Sequence, residues 1–178
     1  WRALSAEQQT RYAESAANLS LSAIRKFNAR RVALYLTNDG ELDTKPLIEA
    51  LWQQGIKVYL PRLHPFSAGN LLFFRYEPDS ELQQSHLGIW EPKLDITQML
   101  LAHQLDVVIT PLVAFDLQGN RMGMGGGYYD RTLANWQRKG KPLPIGYAHD
   151  CQLVDALPCE HWDVALPFIF TPSHNYQF

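Results

Sequence analysis

Apolar residues along this chain fall into two rhythms, and the rhythms alternate. From Ser5 to about Phe27 they recur at helical spacing, which places Tyr12, Ala16, Leu19 and Phe27 on one face. Ser5 with Gln8 three residues on predicts a capping box at the start of that helix. Arg31-Val32-Ala33-Leu34-Tyr35-Leu36 reads as a buried strand, and Thr37 to Glu41 as the loop after it. Thr44 is placed to cap a second helix running to about Gln54, and Gly55 to end it. Lys57 to Leu60 is the next strand, closed by Pro61. Residues 62–105 are less regular: His64-Pro65 and Ala68-Gly69-Asn70 signal turns, Leu71 to Tyr76 a strand suited to a sheet edge, and Ile96 to His103 a short helix. Asp106 to Thr110 is another apolar strand, ended by Pro111. Tyr128 to Arg138 reads as a helix ending near Gly140, and Leu143 to Ala148 and Leu166 to Phe170 as strands weakened by their prolines.

The strand segments are continuously apolar rather than alternating, which predicts cover on both faces. Strands that alternate with helices predict an open, mostly parallel α/β sheet with right-handed crossovers. In such sheets ligands sit beyond the carboxyl ends of the strands. Two segments there stand out: the loop from Thr37 to Thr44, and the residues after Thr110.

Length and composition narrow the function classes. A chain of 178 residues suits one domain spanning 1–178. It is 46% hydrophobic and 19% charged with net charge -2, and its basic residues are scattered, which argues against a nucleic-acid surface. No apolar run nears the roughly 18 residues that span a bilayer. The first residues lack a signal peptide's apolar stretch. Two cysteines, Cys151 and Cys159, are too few for a disulfide scaffold, and a reducing cytoplasm is the expected compartment. The mirrored triplets His149-Asp150-Cys151 and Cys159-Glu160-His161 contain zinc-ligand types without the tight Cys-x-x-Cys pairing of structural zinc sites.

The most informative stretch is Gly119 to Arg131, where four glycines fall within five positions directly before a helix. Glycine admits positive φ and close approach to a ligand, and successive N–H groups at a helix start make an anion site. Arg121 adds a fixed charge, and Asp130 in the first turn can hold a cation. The same residues also fit a flexible turn, a favourable dipole partner and core tyrosines. No Gly-Lys-Ser/Thr follows, so this is no Walker A loop. Tyr128 stands where a dinucleotide fingerprint needs its last glycine.

Three ordered pieces resemble the signature of the 5-formyltetrahydrofolate cyclo-ligases, also called methenyltetrahydrofolate synthetases. They are Thr110-Pro111-Leu112-Val113-Ala114-Phe115-Asp116, Gly119-Asn120-Arg121-Met122-Gly123 and Gly125-Gly126-Gly127-Tyr128-Tyr129-Asp130. Leu36 to Glu41 with Asp43, Gly88-Ile89-Trp90-Glu91-Pro92, Gly146-Tyr147-Ala148 to Gln152, and Asp163 extend the likeness over nearly the whole chain.

The resemblance implies a three-layer α/β sandwich that converts 5-formyltetrahydrofolate and ATP to 5,10-methenyltetrahydrofolate, ADP and phosphate, using Mg²⁺. It implies an ATP-phosphate cradle from Arg121, Met122, Gly123, Met124, Gly125, Gly126, Gly127, Tyr128 and Tyr129, with Arg121 and Tyr128 as catalytic residues. It places folate against Leu36, Glu41, Glu91 and Met124 to Tyr128, and Mg²⁺ on Asp130 and Asp163. Arg62 is open between a phosphate or glutamate-tail contact and a surface position. The family's basic N-terminal arm is represented here at most by Arg2. The expected partners are small molecules, and the expected state is a monomer. Rival readings are a sugar-phosphate isomerase or CoA transferase type of enzyme on a similar fold, or a non-catalytic nucleotide-binding or interaction module using Trp52, Trp90, Trp136 or Trp162 as anchors.

Overall fold

A computed structural model shows a three-layer α/β sandwich, and it describes residues 3–37, 40–63, 69–85, 88, 90–123 and 127–178. Met124, Gly125 and Gly126 of the glycine loop, the turn at His64 and Pro65, Asn38, Asp39, Ile89 and Arg2 lie outside those residues.

Helix α1 (Ala6–Lys26) starts as its sequence predicts. Ser5 Oγ accepts from Gln8 N–H at 3.2 Å, and Gln8 Oε1 accepts from Ser5 N–H at 2.9 Å. Its buried stripe is Ala13, Ala16, Ala17, Ser20 and Ile24; of the expected face, Ala16 is buried and Tyr12 packs on the core, but Leu19 and Phe27 are exposed. Small residues let α1 lie close against α2 (Lys45–Gln53), and this close approach overrides the larger side chains. Thr44 starts α2 without a side-chain cap, because its hydroxyl donates to the Tyr35 carbonyl instead.

The strands are β1 (Arg31–Ala33), β2 (Lys57–Leu63), β3 (Leu71–Tyr76), β4 (Leu82–Gln84), β5 (Trp90–Pro92), β6 (Met99–Leu100), β7 (Val107–Pro111), β8 (Ala114–Phe115), β9 (Arg121–Met122), β10 (Leu143–Tyr147), β11 (Phe168–Phe170) and β12 (Asn175–Gln177). The main sheet runs β12-β11-β10-β7-β1-β2-β3-β6. Strands β11, β10, β7, β1 and β2 are mutually parallel, β12 on one side and β3 on the other run against them, and the edge strand β6 pairs antiparallel with β3. Val32, Val58, Val107 and Ile109 point into the cluster with α1 and α2. Their neighbours Ala33, Tyr59 and Val108 point into a second cluster with Leu133, Tyr128, Tyr129 and Trp136. Both faces are therefore covered, which is why the strands lack polar alternation.

The prolines shape the ladder. Lys57 donates its N–H to Arg30 on the β1 side, so by alternation Pro61 faces the same side. Having no N–H, Pro61 ends the β1–β2 ladder at Ala33↔Tyr59, and β1 is shorter than the expected run to Leu36. Strand β2 itself continues to Leu63 because its β3 pairing does not use that group. Pro144 faces β11 one residue before that ladder opens at Ile145↔Phe168.

Three further expectations are corrected. Ile96 to His103 is two 3-10 turns, Ile96–Gln98 and Ala102–Gln104, with β6 between them as the true edge of the sheet. Tyr128 to Arg138 breaks into α3 (Tyr128–Thr132) and α4 (Trp136–Lys139), with Gly140 closing α4 at φ 75°. The helix behind the glycine loop is thus too short to contribute a large dipole. No described helix is long and apolar enough to cross a membrane.

Candidate active site

Strand order fixes where a ligand can enter. From β1 the chain moves outward to β2, then returns across β1 to β7 and continues outward through β10 to β11. The connections leaving β1 and β7 diverge, and a crevice opens between their carboxyl ends. The β1 end supplies Leu36, Gly40 and Glu41, and the β7 end leads into hairpin β8–β9 and the glycine turn.

The hairpin is built around Asp116, whose residue is only 1% exposed. Its Oδ1 accepts from the Gln118 and Asn120 N–H groups at 2.9 and 3.1 Å. Its Oδ2 accepts from Asn120 Nδ2 and from Leu157 N–H, both at 3.1 Å. Burial alone would raise the carboxyl's pKa, but these donors outweigh it and hold the group below the usual carboxylate range. Gly119 completes the tip at φ +83°, and a Cβ there would lie 2.5 Å from the Leu166 carbonyl oxygen. Gln152 braces the same region by donating Nε2 to the Leu112 and Val113 carbonyls at 2.8 and 3.0 Å. Sequence reasoning gave neither residue a role. A buried Asp before a Gly-Asn turn is the signal for the first.

From this hairpin Arg121 reaches inward, with a side chain only 4% exposed. Its Nη2 donates to Asp130 Oδ1 at 3.2 Å, its guanidinium lies 5.9 Å from the Tyr129 ring centre, and its Nε has no partner among the described residues. Gly123 lies against this guanidinium, where a Cβ would approach Nη1 to 3.0 Å. Gly127 takes φ +68° to start α3, so a side chain there would be strained. Met122 points outward from β9.

The Glu41 charge acts on Tyr129 across the crevice. Burial raises the Tyr129 phenol well above its ordinary value and the Glu41 charge adds to the rise, while Arg121 opposes it. Burial and Glu41 act in the same direction on Tyr35, whose hydroxyl donates to the Leu42 carbonyl at 3.0 Å. Arg121, Tyr129 and Asp130 therefore gather beside the glycine turn with the Glu41 charge acting on Tyr129, while Leu36 lines a depression with Thr37, Trp52, Tyr76 and Trp90. Tyr128 packs against the same core cluster as Tyr129 and lies under the Arg131 guanidinium at 5.4 Å.

Asp130 Oδ1 also accepts from Val164 N–H at 3.0 Å, which draws the Asp163 segment alongside α3. Asp163 Oδ2 accepts from Glu160 N–H at 2.8 Å. Among the described residues no three His, Cys, Asp or Glu side chains form a metal-holding group, and Cys151 and Cys159 are exposed free thiols. Glu91 stands one strand over, at the end of β2, 3.8 Å from Arg62 Nε; Arg62 Nη1 donates to the Pro92 carbonyl at 3.0 Å. Arg62 is thus tied to hairpin β4–β5. His149 is 1% exposed, with its ring edge-on to Tyr12 and the Gly40 backbone beside it.

An open parallel sheet with an arginine–carboxylate pair and a glycine turn at its switch point is the layout of an α/β enzyme for small ligands. Residues 1–172 match the model of the 5-formyltetrahydrofolate cyclo-ligase family, and the chain belongs to that family. It is 56% identical over 177 residues to the Escherichia coli 5-formyltetrahydrofolate cyclo-ligase, covering 99% of this chain and 97% of that one. The Haemophilus influenzae cyclo-ligase is 52% identical over 163 residues, covering 92% and 87%. The NMR structure of Aquifex aeolicus 5,10-methenyltetrahydrofolate synthetase superposes with TM-score 0.80 at 29% identity, over 98% of this chain and 84% of that one. The Mycoplasma pneumoniae synthetase shares the fold, with TM-score 0.74 at 24% identity over 97% of this chain and 92% of that one.

Proposed function

We propose that this chain uses ATP to convert 5-formyltetrahydrofolate into 5,10-methenyltetrahydrofolate, releasing ADP and phosphate. A formamide carbon is a poor electrophile and its oxygen a poor leaving group. The formyl oxygen attacks the γ-phosphorus and ADP leaves, giving an imidoyl phosphate. N10 then attacks the formyl carbon, loses its proton, and phosphate departs with the former formyl oxygen. Positioning and charge stabilisation are the protein's main levers on such a transfer.

The observation that carries this reading is the buried Arg121–Asp130 pair at the switch point of a chain from this family. A guanidinium held by one carboxylate, with Nε unpartnered among the described residues, is oriented to take anionic oxygens. The glycine turn beside it takes the ATP phosphates, and Tyr128 closes its far side. Leu36 and Glu41 take the pterin, with the Glu41 carboxylate accepting from its amide and amino edge. Glu91 borders the folate from hairpin β4–β5.

Asp130 and Asp163 would hold Mg²⁺. Each gives one oxygen to backbone or arginine donors and keeps the other, and magnesium takes one or two carboxylate oxygens with phosphates and waters as the rest. The hard-oxygen donors fit that ion, which supplies charge neutralisation at the phosphates.

The test mixes protein, 5-formyltetrahydrofolate, Mg²⁺ and ATP and follows the methenyl chromophore. The expected result is absorbance that grows only with ATP present. No growth, or equal growth without ATP, overturns the reading.

A further inference from the structure

A depression of about 370 Å³ opens beside the glycine turn, lined by Gly127, Asp130, Arg131, Ala134 and Trp162. The first four recur at helical spacing and make its floor; the indole of Trp162 makes its wall. Trp162 is 60% exposed. Exposure by itself says little, since single apolar residues are common on surfaces. What sets this indole apart is how firmly its backbone is held. It stands third in a turn that Asp163 N–H closes onto the Glu160 carbonyl at 3.1 Å. The Asp163 carboxylate closes the same turn in reverse by accepting from Glu160 N–H. The next residue, Val164, is pinned to Asp130. On one side the His161 ring packs edge-on, with centres 4.8 Å apart at 77°. An aromatic side chain on a backbone held in advance has less freedom to lose when a flat ligand lands on it.

Position selects the ligand. The depression shares Gly127 and Asp130 with the phosphate turn, and Asp163 follows Trp162 directly. It lies on the face of α3 away from Tyr129, whose phenol feels Glu41 and Arg121 on the folate side. A nucleotide whose phosphates sit on the glycine turn, with its terminal phosphoryl group turned toward the folate, has its base end directed the other way. We propose that Trp162 is the platform on which the adenine base of ATP stacks. The proposal rests on the reading of the glycine turn as the phosphate cradle.

The experiment compares equilibrium binding of ATP and of inorganic tripolyphosphate, each with Mg²⁺, to the wild-type chain, Trp162→Ala and Trp162→Phe. Loss of one base–aromatic stack corresponds to roughly a 5- to 140-fold weaker affinity. We expect that loss for ATP in Trp162→Ala, with tripolyphosphate affinity unchanged and Trp162→Phe within about fivefold of wild type. In turnover, the KM for ATP rises while kcat and the KM for 5-formyltetrahydrofolate hold. Unchanged ATP affinity in Trp162→Ala overturns the platform and leaves the cradle standing. Equal weakening of ATP and tripolyphosphate also overturns it, because the indole then acts only by holding the Asp163 turn. A wild-type chain that binds neither ligand removes the cradle and the platform with it.

Discussion

Asp116→Ala removes one small side chain and strips four donors of their acceptor: the N–H groups of Gln118, Asn120 and Leu157, and the Asn120 amide. A buried donor left unpaired costs about 1–3 kcal/mol. These backbone donors are part-buried, so water recovers some of the loss, and about 1 kcal/mol for each of the three backbone groups gives roughly 3 kcal/mol in all. For a chain of this size that is a drop in melting temperature of about 6–12 °C. The damage reaches the site because Phe115 pairs with Arg121 across the hairpin that Asp116 closes. Turnover in folded Asp116→Ala should therefore fall as Arg121 loses its bearing on Asp130. Asp116→Asn should lie between, since it keeps the shape but turns an amide toward groups that can only donate. Its acid limb should also change. A carboxyl whose folded pKa is depressed contributes stability above its unfolded value, near pH 4, and loses it as pH falls through the lower folded value. Asp116→Asn lacks that contribution. Thermal unfolding between pH 3 and 8, with turnover measured alongside, tests both. A shift under about 2 °C in Asp116→Ala would refute the hairpin's dependence on this carboxylate.

Asp130→Asn keeps the bond from Val164 but ends the ion pair with Arg121. Loss of a charge-assisted bond worth about 1.5–3 kcal/mol also uncovers the Arg121 charge, so the melting temperature should fall by about 3–12 °C and turnover of the folded variant should drop; unchanged steady-state rates would remove Asp130 from the machinery. Gly146→Ala places a Cβ 2.9 Å from Ile169 Cγ1 and Leu166 Cδ1 and 3.0 Å from Leu112 Cδ2; overpacking of this kind costs about 1–3 kcal/mol, read as a lower urea midpoint. Burial holds the His149 pKa below its ordinary value, so the unfolded chain takes up a proton first. Stability then rises with pH between the folded value and about 6.5 and is flat above. His149→Phe should lose that slope, and parallel melting curves for the two proteins from pH 5 to 8 would contradict it.

Much of this architecture is legible in the residues. The Ser5–Gln8 box starts α1 where sequence puts it, and the apolar runs at Val32, Val58, Val107 and Ile145 become the parallel centre of the sheet. What failed did so for physical reasons. Of the face expected for α1, Ala16 is buried and Tyr12 packs on the core, but Leu19 and Phe27 are exposed, because close approach to α2 selects the alanines. The hairpins β4–β5 and β8–β9 are too short to show a period, and β12 depends on β11 for its pairing. Within the site, Arg121 and Asp130 were readable from their place around the glycines, and the structure pairs them. The bracing by Asp116 and Gln152 was not readable, since it depends on backbone groups brought together from as far as Leu157. The tie between Arg62 and Pro92 spans thirty residues and likewise leaves no local trace.

The first strand in the chain is also a middle strand of the sheet, and this has a consequence for synthesis. Glu41 leaves the ribosome early, yet Tyr129, on whose phenol its charge acts, belongs to the other half of the polypeptide. A nascent chain stalled before β7 can pair β1, β2 and β3 and lay α1 and α2 across them, but it leaves one flank of β1 bare. Catalysis is thus withheld until the later half zips onto that flank. Truncated products can bury part of a core without ever acquiring a working crevice.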